Sequence, residues 1–251
     1  MKSKAVVIIP SRYYSTRLPG KPLIVIAGKS IIQHVYERAL QIKNIDSVIV
    51  ATDDQRVADE VKSFNGNFQI TPSTIKSGSE RVGYIAHNIE TDIIVNLQGD
   101  EPLISAFAVQ KAIEEVQNHN INISTLACHF ESENEWRNPS IVKVLVDSDF
   151  NAIYFSRSPI PYFQNSQFNI IPQLLRHIGV YVFRKDFLLQ YLSWEPTPLE
   201  KIEKLEQLRI IEKSYKIKVV LAERCSPGID TPEDVKIVEG IFKNKGQKIE
   251  V

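Results

Sequence analysis

Ala5-Val6-Val7-Ile8-Ile9-Pro10-Ser11-Arg12-Tyr13-Tyr14-Ser15-Thr16-Arg17-Leu18-Pro19-Gly20-Lys21-Pro22-Leu23 joins a five-residue apolar run to a loop with three cations inside ten residues. A run with no polar position has no face for water, so it predicts a strand covered on both sides, as in a parallel sheet. The loop is punctuated by Pro19, Gly20 and Pro22. It concentrates Arg12, Arg17 and Lys21 in a chain whose 30 basic and 30 acidic residues otherwise balance. Guanidinium forks match phosphate bidentately, and an ammonium is a compact point charge. On spacing alone two readings stay open: a site for a polyanion such as a nucleoside triphosphate, and a solvated loop whose cations pair with scattered carboxylates.

Outward from this stretch, apolar runs alternate with helical patterns. Val48-Ile49-Val50-Ala51, Asp92 to Leu97 and Ile123 to Ala127 read as further strands. Ile31, Ile32, Val35 and Ala39 mark a helix capped by Ser30; Val57, Ala58, Val61 and Phe64 mark another, and a third spans Val109 to Val116. This order predicts an α/β fold with a parallel sheet covered on both faces. Ligands of such sheets gather at the carboxyl ends of the strands. The basic loop, Thr52-Asp53-Asp54 and Gln98-Gly99-Asp100-Glu101-Pro102 all follow strands and are predicted to converge there.

The second half is more mixed. Ile141 to Val146, Ala152 to Phe155 and His177 to Phe183 read as strands, with an irregular excursion from Ser158 to Asn169. Leu199, Ile202, Leu205, Leu208 and Ile211 predict one long helix after Pro198, which places Glu206 and Gln207 mid-helix. Thr231-Pro232 opens a final helix.

Composition narrows the function classes. With 251 residues the chain can bury a large core. Zero net charge supplies no field for nucleic acid or an anionic membrane, and no apolar run approaches the roughly 20 residues a membrane helix needs. The charged start precedes too short an apolar run for a signal peptide. Cys128 and Cys225 lack a local spacing and read as unpaired, in a cytoplasmic protein.

The loop is no Walker A motif, since Ser15 and Pro22 stand where a glycine and a Ser or Thr are needed, and no Gly-x-Gly-x-x-Gly follows the first strand. Asp100 and Asp230 are candidates to share one Mg²⁺, which favours a few carboxylates plus substrate phosphates. Taken alone, each reads better as plain turn chemistry, and Asp53 and Asp54 also read as a helix cap. His34, His87, His119 and His129 show no metal-ligand spacing. His177, Gly179 and Tyr181 share one strand face, with the glycine leaving room.

Taken together these segments resemble the 3-deoxy-manno-octulosonate cytidylyltransferases, the CMP-KDO synthetases. The resemblance rests on Ile9 to Leu23, Ala51 to Asp54, Ser77-Gly78-Ser79-Glu80-Arg81, Asn96 to Pro102, Tyr154 to Arg157, His177 to Tyr181, Leu205 to Arg209 and Asp230 to Asp234, in family order. It implies a three-layer sandwich like that of the nucleotide-diphospho-sugar transferases: an α/β fold, a mainly parallel central sheet and a smaller dimerisation and sugar-binding subregion. It further implies a single domain over 1–251, with the insertion at roughly 130–200, and a homodimer. The implied reaction joins CTP and KDO into CMP-KDO and pyrophosphate for lipopolysaccharide synthesis.

By the same resemblance Arg12, Arg17 and Lys21 hold the triphosphate, Arg81 and Gln98 meet the nucleotide, and Asp100 and Asp230 bind Mg²⁺. Lys21, Arg12, Asp100 and Asp230 form the implied catalytic set, and Arg157, His177, Tyr181, Glu206 and Gln207 line the sugar-acid site. Ser11 and Ser79 depart from the family's usual alanine and threonine, and Phe163 to Leu174 matches no family pattern. The alternatives are a cytidylyltransferase for 8-amino-KDO or sialic acid and, outside enzymes, a nucleotide-binding regulator. Retention of Asp100, Asp230 and Lys21 together speaks against the regulator.

Overall fold

β1 (Ala5–Pro10) is buried from Ala5 to Ile9, so neither of its faces meets water. The computed structural model describes residues 4–14, 17–118, 121–164 and 168–246; Ser15, Thr16 and His119 lie outside them. After β1 come the basic loop, a 3-10 turn at Lys21–Leu23, and a hairpin of β2 (Val25–Ile26) and β3 (Lys29–Ser30). Ser30 caps α1 (Ile31–Ala39) by accepting from Gln33 N at 3.2 Å. β4 (Ser47–Thr52) leads into α2 (Gln55–Ser63), capped by Asp54. β5 (Phe68–Ile70), α3 (Gly78–His87) and β6 (Ile93–Asn96) follow, and a Ser77–Glu80 capping box starts α3.

β1 pairs in parallel with β4 and with β6, and β5 pairs in parallel with β4. Pro10 stands opposite Ala51 and Ile8 opposite Asn96, so the carboxyl ends of the three inner strands reach one edge. The basic loop and the loops after Thr52 and Asn96 therefore start side by side. Gly99 is fixed by this: a Cβ there would lie 3.0 Å from the Pro10 carbonyl. The expected α/β fold with a mainly parallel sheet is what the chain adopts.

The chain up to residue 106 and from residue 226 forms one compact unit, and residues 107–225 form a second. α4 (Ala106–Asn118) precedes β7 (Ile123–Cys128), which is buried throughout, then α5 (Glu133–Arg137). β8 (Lys143–Val146), β9 (Ala152–Ser156) and β10 (Leu174–Arg184) come next, then α6 (Lys185–Leu192), α7 (Pro198–Glu203), α8 (Leu208–Glu212) and β11 (Lys218–Leu221). β7 pairs in parallel with β11 and antiparallel with β10, which pairs antiparallel with β8, as β8 does with β9. The stretch around 130–200 lies in this second unit. Its unpatterned segment packs Phe163, Phe168 and Ile171 on Trp136, Phe130 and Leu174, and Trp136 Nε1 donates to the Ile160 carbonyl at 2.8 Å. α9 (Pro232–Gly246) belongs to the first unit, where Phe242 stacks on His34 with ring centroids 4.3 Å apart.

Two expectations are corrected. The single helix expected from Pro198 is broken in two: Lys204 takes a left-handed conformation (φ 56°) and its N–H closes on the Glu200 carbonyl at 2.8 Å. The apolar spacing is continuous, but the buried Arg209–Glu200 pair (2.5 Å) holds the two short helices together across the break. Glu206 and Gln207 therefore sit in a turn and not mid-helix. Second, Cys128 and Cys225 form a disulfide with Cα atoms 5.6 Å apart. They are 97 residues apart, so no local spacing could reveal the pair. Among the described residues no helix is long and apolar enough to cross a membrane.

Candidate active site

In the first unit the loops after β1 and β6 and the turn before α9 place three side chains together. Lys21 Nζ donates to Asp100 Oδ2 at 2.7 Å, to Asp230 Oδ1 at 3.1 Å and to the Ile229 carbonyl at 3.0 Å. The convergence is built by the backbone. Ile229 N donates to the Asp100 carbonyl at 2.9 Å, and Asp234 accepts from Asp230 N, Thr231 N and the Thr231 hydroxyl. Burial pulls the Lys21 ammonium down, but Asp100 and Asp230 outweigh it and hold the group above its ordinary value. Lys21 is thus a fixed positive charge, with 14% of its side chain exposed.

The other cations of the loop are held more loosely. Arg17 is exposed and donates to Asp230 Oδ2 at 3.0 Å, and Arg12 Nη2 bonds the Ile75 carbonyl. Gly20 closes the loop: its N–H donates to the Tyr13 carbonyl at 3.0 Å, and its φ of 69° is one that side chains resist. The Arg56 guanidinium lies over the Tyr13 ring, 3.3 Å from its centroid, which braces the loop from α2. Arg81 is fully buried, with Nη2 on Asp53 at 2.8 Å and Nη1 bonded to the Thr71 hydroxyl. Burial holds its guanidinium below the usual arginine range despite Asp53. Gln98 donates to Asn96 Oδ1 at 3.0 Å. Ser11 Oγ, Arg81 Nε and Asn96 Nδ2 are buried without a partner among the described residues, so this unit retains unspent polar atoms.

Asp100 and Asp230 fit a divalent cation. Two carboxylates and the Ile229 carbonyl are hard oxygen donors already converging on one positive charge, and Mg²⁺ takes few protein carboxylates because phosphates and water complete its shell. Among the described residues no group of three or more His, Cys, Asp or Glu could hold a metal, so a fully protein-made cage is not available there.

The second unit gathers the other expected residues on different terms. The His177 and Tyr181 rings lie 5.5 Å apart, and Phe155 stands edge-on to His177 at 5.0 Å. Burial lowers the His177 pKa to about 3, so its ring is neutral. Burial raises Tyr181 well above the usual phenol value, with further contributions from Tyr191 and the Glu206 carboxylate. Gln207 is buried at the start of α8. Arg157 is anchored by main chain: Nε donates to the Glu203 carbonyl (3.0 Å) and Nη1 to the Pro139 carbonyl (3.1 Å). Among the described residues no protein group bonds its Nη2. The Glu203 carboxylate accepts from Ser156 Oγ at 2.6 Å and Arg157 N at 2.9 Å.

Sequence reading passed over several supporting groups. Lys143, fully buried, donates to the carbonyls of Asn138, Ile141 and Arg157 at 2.8, 2.9 and 2.8 Å; burial, with the Arg157 charge, lowers its pKa to about 8. Its position in an apolar strand was the available signal. Glu203 and Thr125 gave none, because their roles depend on partners 46 to 52 residues away.

The family model described as Cytidylyltransferase matches residues 6–217. The 3-deoxy-manno-octulosonate cytidylyltransferase of Geobacter metallireducens is 45% identical over 96% of this chain and 98% of its own. That of Photobacterium profundum is 44% identical over 94% and 98%. A solved CMP:2-keto-3-deoxy-manno-octonic acid synthetase complexed with CTP superposes with a TM-score of 0.91 at 41% identity, covering 97% of this chain and 100% of that one. A 4-diphosphocytidyl-2C-methyl-D-erythritol synthase from Anaerococcus prevotii shares the fold alone, at TM-score 0.62 and 15% identity. The chain belongs to the cytidylyltransferase family, among the 3-deoxy-manno-octulosonate cytidylyltransferases.

Proposed function

We propose that the chain transfers CMP from CTP to 3-deoxy-D-manno-octulosonate, giving CMP-KDO and pyrophosphate for lipopolysaccharide synthesis. The observation that carries this reading is the convergence of Asp100 and Asp230 on Lys21 at the carboxyl ends of parallel strands, in a chain of this family. The anomeric hydroxyl of the sugar attacks the α-phosphorus in line, the bond to the leaving pyrophosphate breaks, and the hydroxyl proton passes to solvent water. Negative charge grows on the leaving oxygens, so catalysis is mainly positioning and electrostatic stabilisation. Lys21, Arg12 and Arg17 neutralise the triphosphate and the departing pyrophosphate. Arg81 and Gln98 support the nucleotide, with the unspent Ser11 and Asn96 atoms beside them as polar contacts.

Asp100 and Asp230 are the proposed Mg²⁺ ligands; bound there, the ion supplies Lewis-acid polarisation of phosphate oxygens and counter-charge. In the second unit the Nη2 edge of Arg157 takes the sugar carboxylate, and His177, Tyr181, Glu206 and Gln207 take hydroxyls. We further propose a cytoplasmic homodimer. CTP use supports the compartment, although a disulfide such as Cys128–Cys225 is uncommon there. Exposed Ile153 on β9 and Ile202 on α7 supply apolar surface in the second unit. Light scattering of the purified chain tests the dimer.

Pyrophosphate release tests the reaction. Purified protein with Mg²⁺ and each nucleoside triphosphate is offered KDO, 8-amino-KDO, sialic acid and mannose. Release is expected with CTP plus KDO; release only with another acceptor would sink the assignment. Loss of release on chelation, restored by Mg²⁺, is the expected sign of the metal.

A further inference from the structure

Thr125, on β7, is fully buried, and its hydroxyl has a near acceptor in the Val180 carbonyl at 2.7 Å; the Ile178 carbonyl is farther, at 3.4 Å. The same oxygen lies 2.9 Å from His177 Nε2. A hydroxyl has one hydrogen to donate. With that hydrogen given to a carbonyl, Thr125 can meet Nε2 only as an acceptor, so Nε2 carries the ring hydrogen. Because the ring is neutral, Nδ1 is then a bare acceptor, and among the described residues no protein group bonds to it. The local fold makes this arrangement. β10 shifts register against β7 between Ile178 and Tyr181, and the Thr125 hydroxyl spans that shift by reaching carbonyls on both sides of Gly179.

We infer that Thr125 is a positioning residue that fixes His177 as the Nε2–H tautomer, so that Nδ1 receives a hydroxyl of the acid sugar and refuses its carboxylate. This rests on the acid-sugar reading of the second unit. It divides the work of recognition: an acceptor-only nitrogen suits a hydroxyl, and the donor-only edge of Arg157 suits the carboxylate. The reverse tautomer would present N–H from Nδ1 and lose that discrimination.

Nitrogen NMR of uniformly ¹⁵N-labelled protein at pH 7 reads the tautomer directly, with the His177 signals assigned by their loss in His177→Gln. His34 is an internal reference, because its Nε2 faces the Ile26 carbonyl at 2.7 Å and must carry hydrogen too. Wild-type His177 is expected to show a protonated Nε2 and a bare Nδ1. Thr125→Val is expected to give mixed tautomers and raise the KM for KDO about five- to tenfold, the range for one lost neutral hydrogen bond, with the KM for CTP unchanged. Thr125→Ser keeps the hydroxyl and is expected to restore both. Hydrogen on Nδ1 in the wild type overturns the inference, and so does Thr125→Val with unaltered tautomer and KM. If Thr125→Val fails to fold, the wild-type spectrum decides the tautomer by itself. A persistent Nε2–H signal in a protein that never turns over KDO overturns the acid-sugar role and leaves the tautomer assignment standing.

Discussion

The two units hold their candidate groups by different physics. The first holds its candidate groups by charge on loops at strand ends: Lys21 among two carboxylates and a carbonyl, Arg17 on a partly exposed Asp230. The second holds its groups by hydrogen bonds to main chain and to buried neutral partners: Lys143 on three carbonyls, Arg157 on two, His177 on Thr125. A triphosphate and a metal ask for movable charge that is not already neutralised irreversibly, and screening in a partly wet site keeps such pairs exchangeable. A sugar asks for directional donors and acceptors, which a network anchored on main-chain carbonyls can aim.

The largest effect expected breaks the first unit. Asp100→Ala or Asp230→Ala lowers kcat/KM by about 30- to several-thousand-fold, the consequence of losing one charged partner worth about 2–5 kcal/mol. Pyrophosphate release measures it, and wild-type rates in either variant would remove that residue from the essential set. The next effect is a pH dependence belonging to the second unit. His177 has a pKa of about 3 in the fold against 6.5 as a free side chain. Its neutral burial therefore contributes stability that is fully present above about 6.5 and declines as pH falls toward about 3, because only the unfolded chain takes the proton. One proton gives a slope of about 1.4 kcal/mol per pH unit in that window. Denaturant midpoints of wild type and His177→Gln between pH 6 and 4 isolate it; parallel curves would exclude it.

Lys143→Met tests whether the network is structural at its root. Three carbonyls lose their donor, partly offset by removing a buried charge, so the net cost is about 2 kcal/mol and a Tm drop of about 4–8 °C. The KM for KDO should rise with it and that for CTP should not. Gly20→Ala forces a side chain into φ 69° with its Cβ 3.3 Å from the Tyr13 hydroxyl, a strain of about 1–2 kcal/mol that should appear as a higher KM for CTP. The smallest expected effect is on stability in Arg17→Ala. Its pair with Asp230 is mostly exposed, so stability changes by under about 1 kcal/mol. Binding of CTP weakens nonetheless, most at low salt. A large Tm loss instead would show that the loop is structural.

Legibility in the sequence followed the range of the forces. β1, the Ser30 cap, the Thr231-Pro232 start and the parallel order were readable because apolar periodicity and capping act within one turn or strand. Asp100, Asp230 and Lys21 were readable as candidates from residue type and from the resemblance. The break at Lys204 was not readable, because the apolar spacing runs straight through it and the deciding Arg209–Glu200 pair is set by packing. The Cys128–Cys225 bond and the Glu203 clasp on Arg157 were hidden for the same reason.

The sequence by itself determined which residues carry charge, where the chain turns, and that buried strands alternate with helices; these are local properties of side chains and backbone. Only the tertiary structure decided how those groups are held. It brought Ile229 and Asp100 into backbone contact so that two carboxylates share one ammonium. It placed a bulge in β10 against Thr125, giving His177 a defined hydrogen. A protonation state and a shared charge depend on distances of about 3 Å between residues far apart in sequence, and such distances exist only once the sheet register is set.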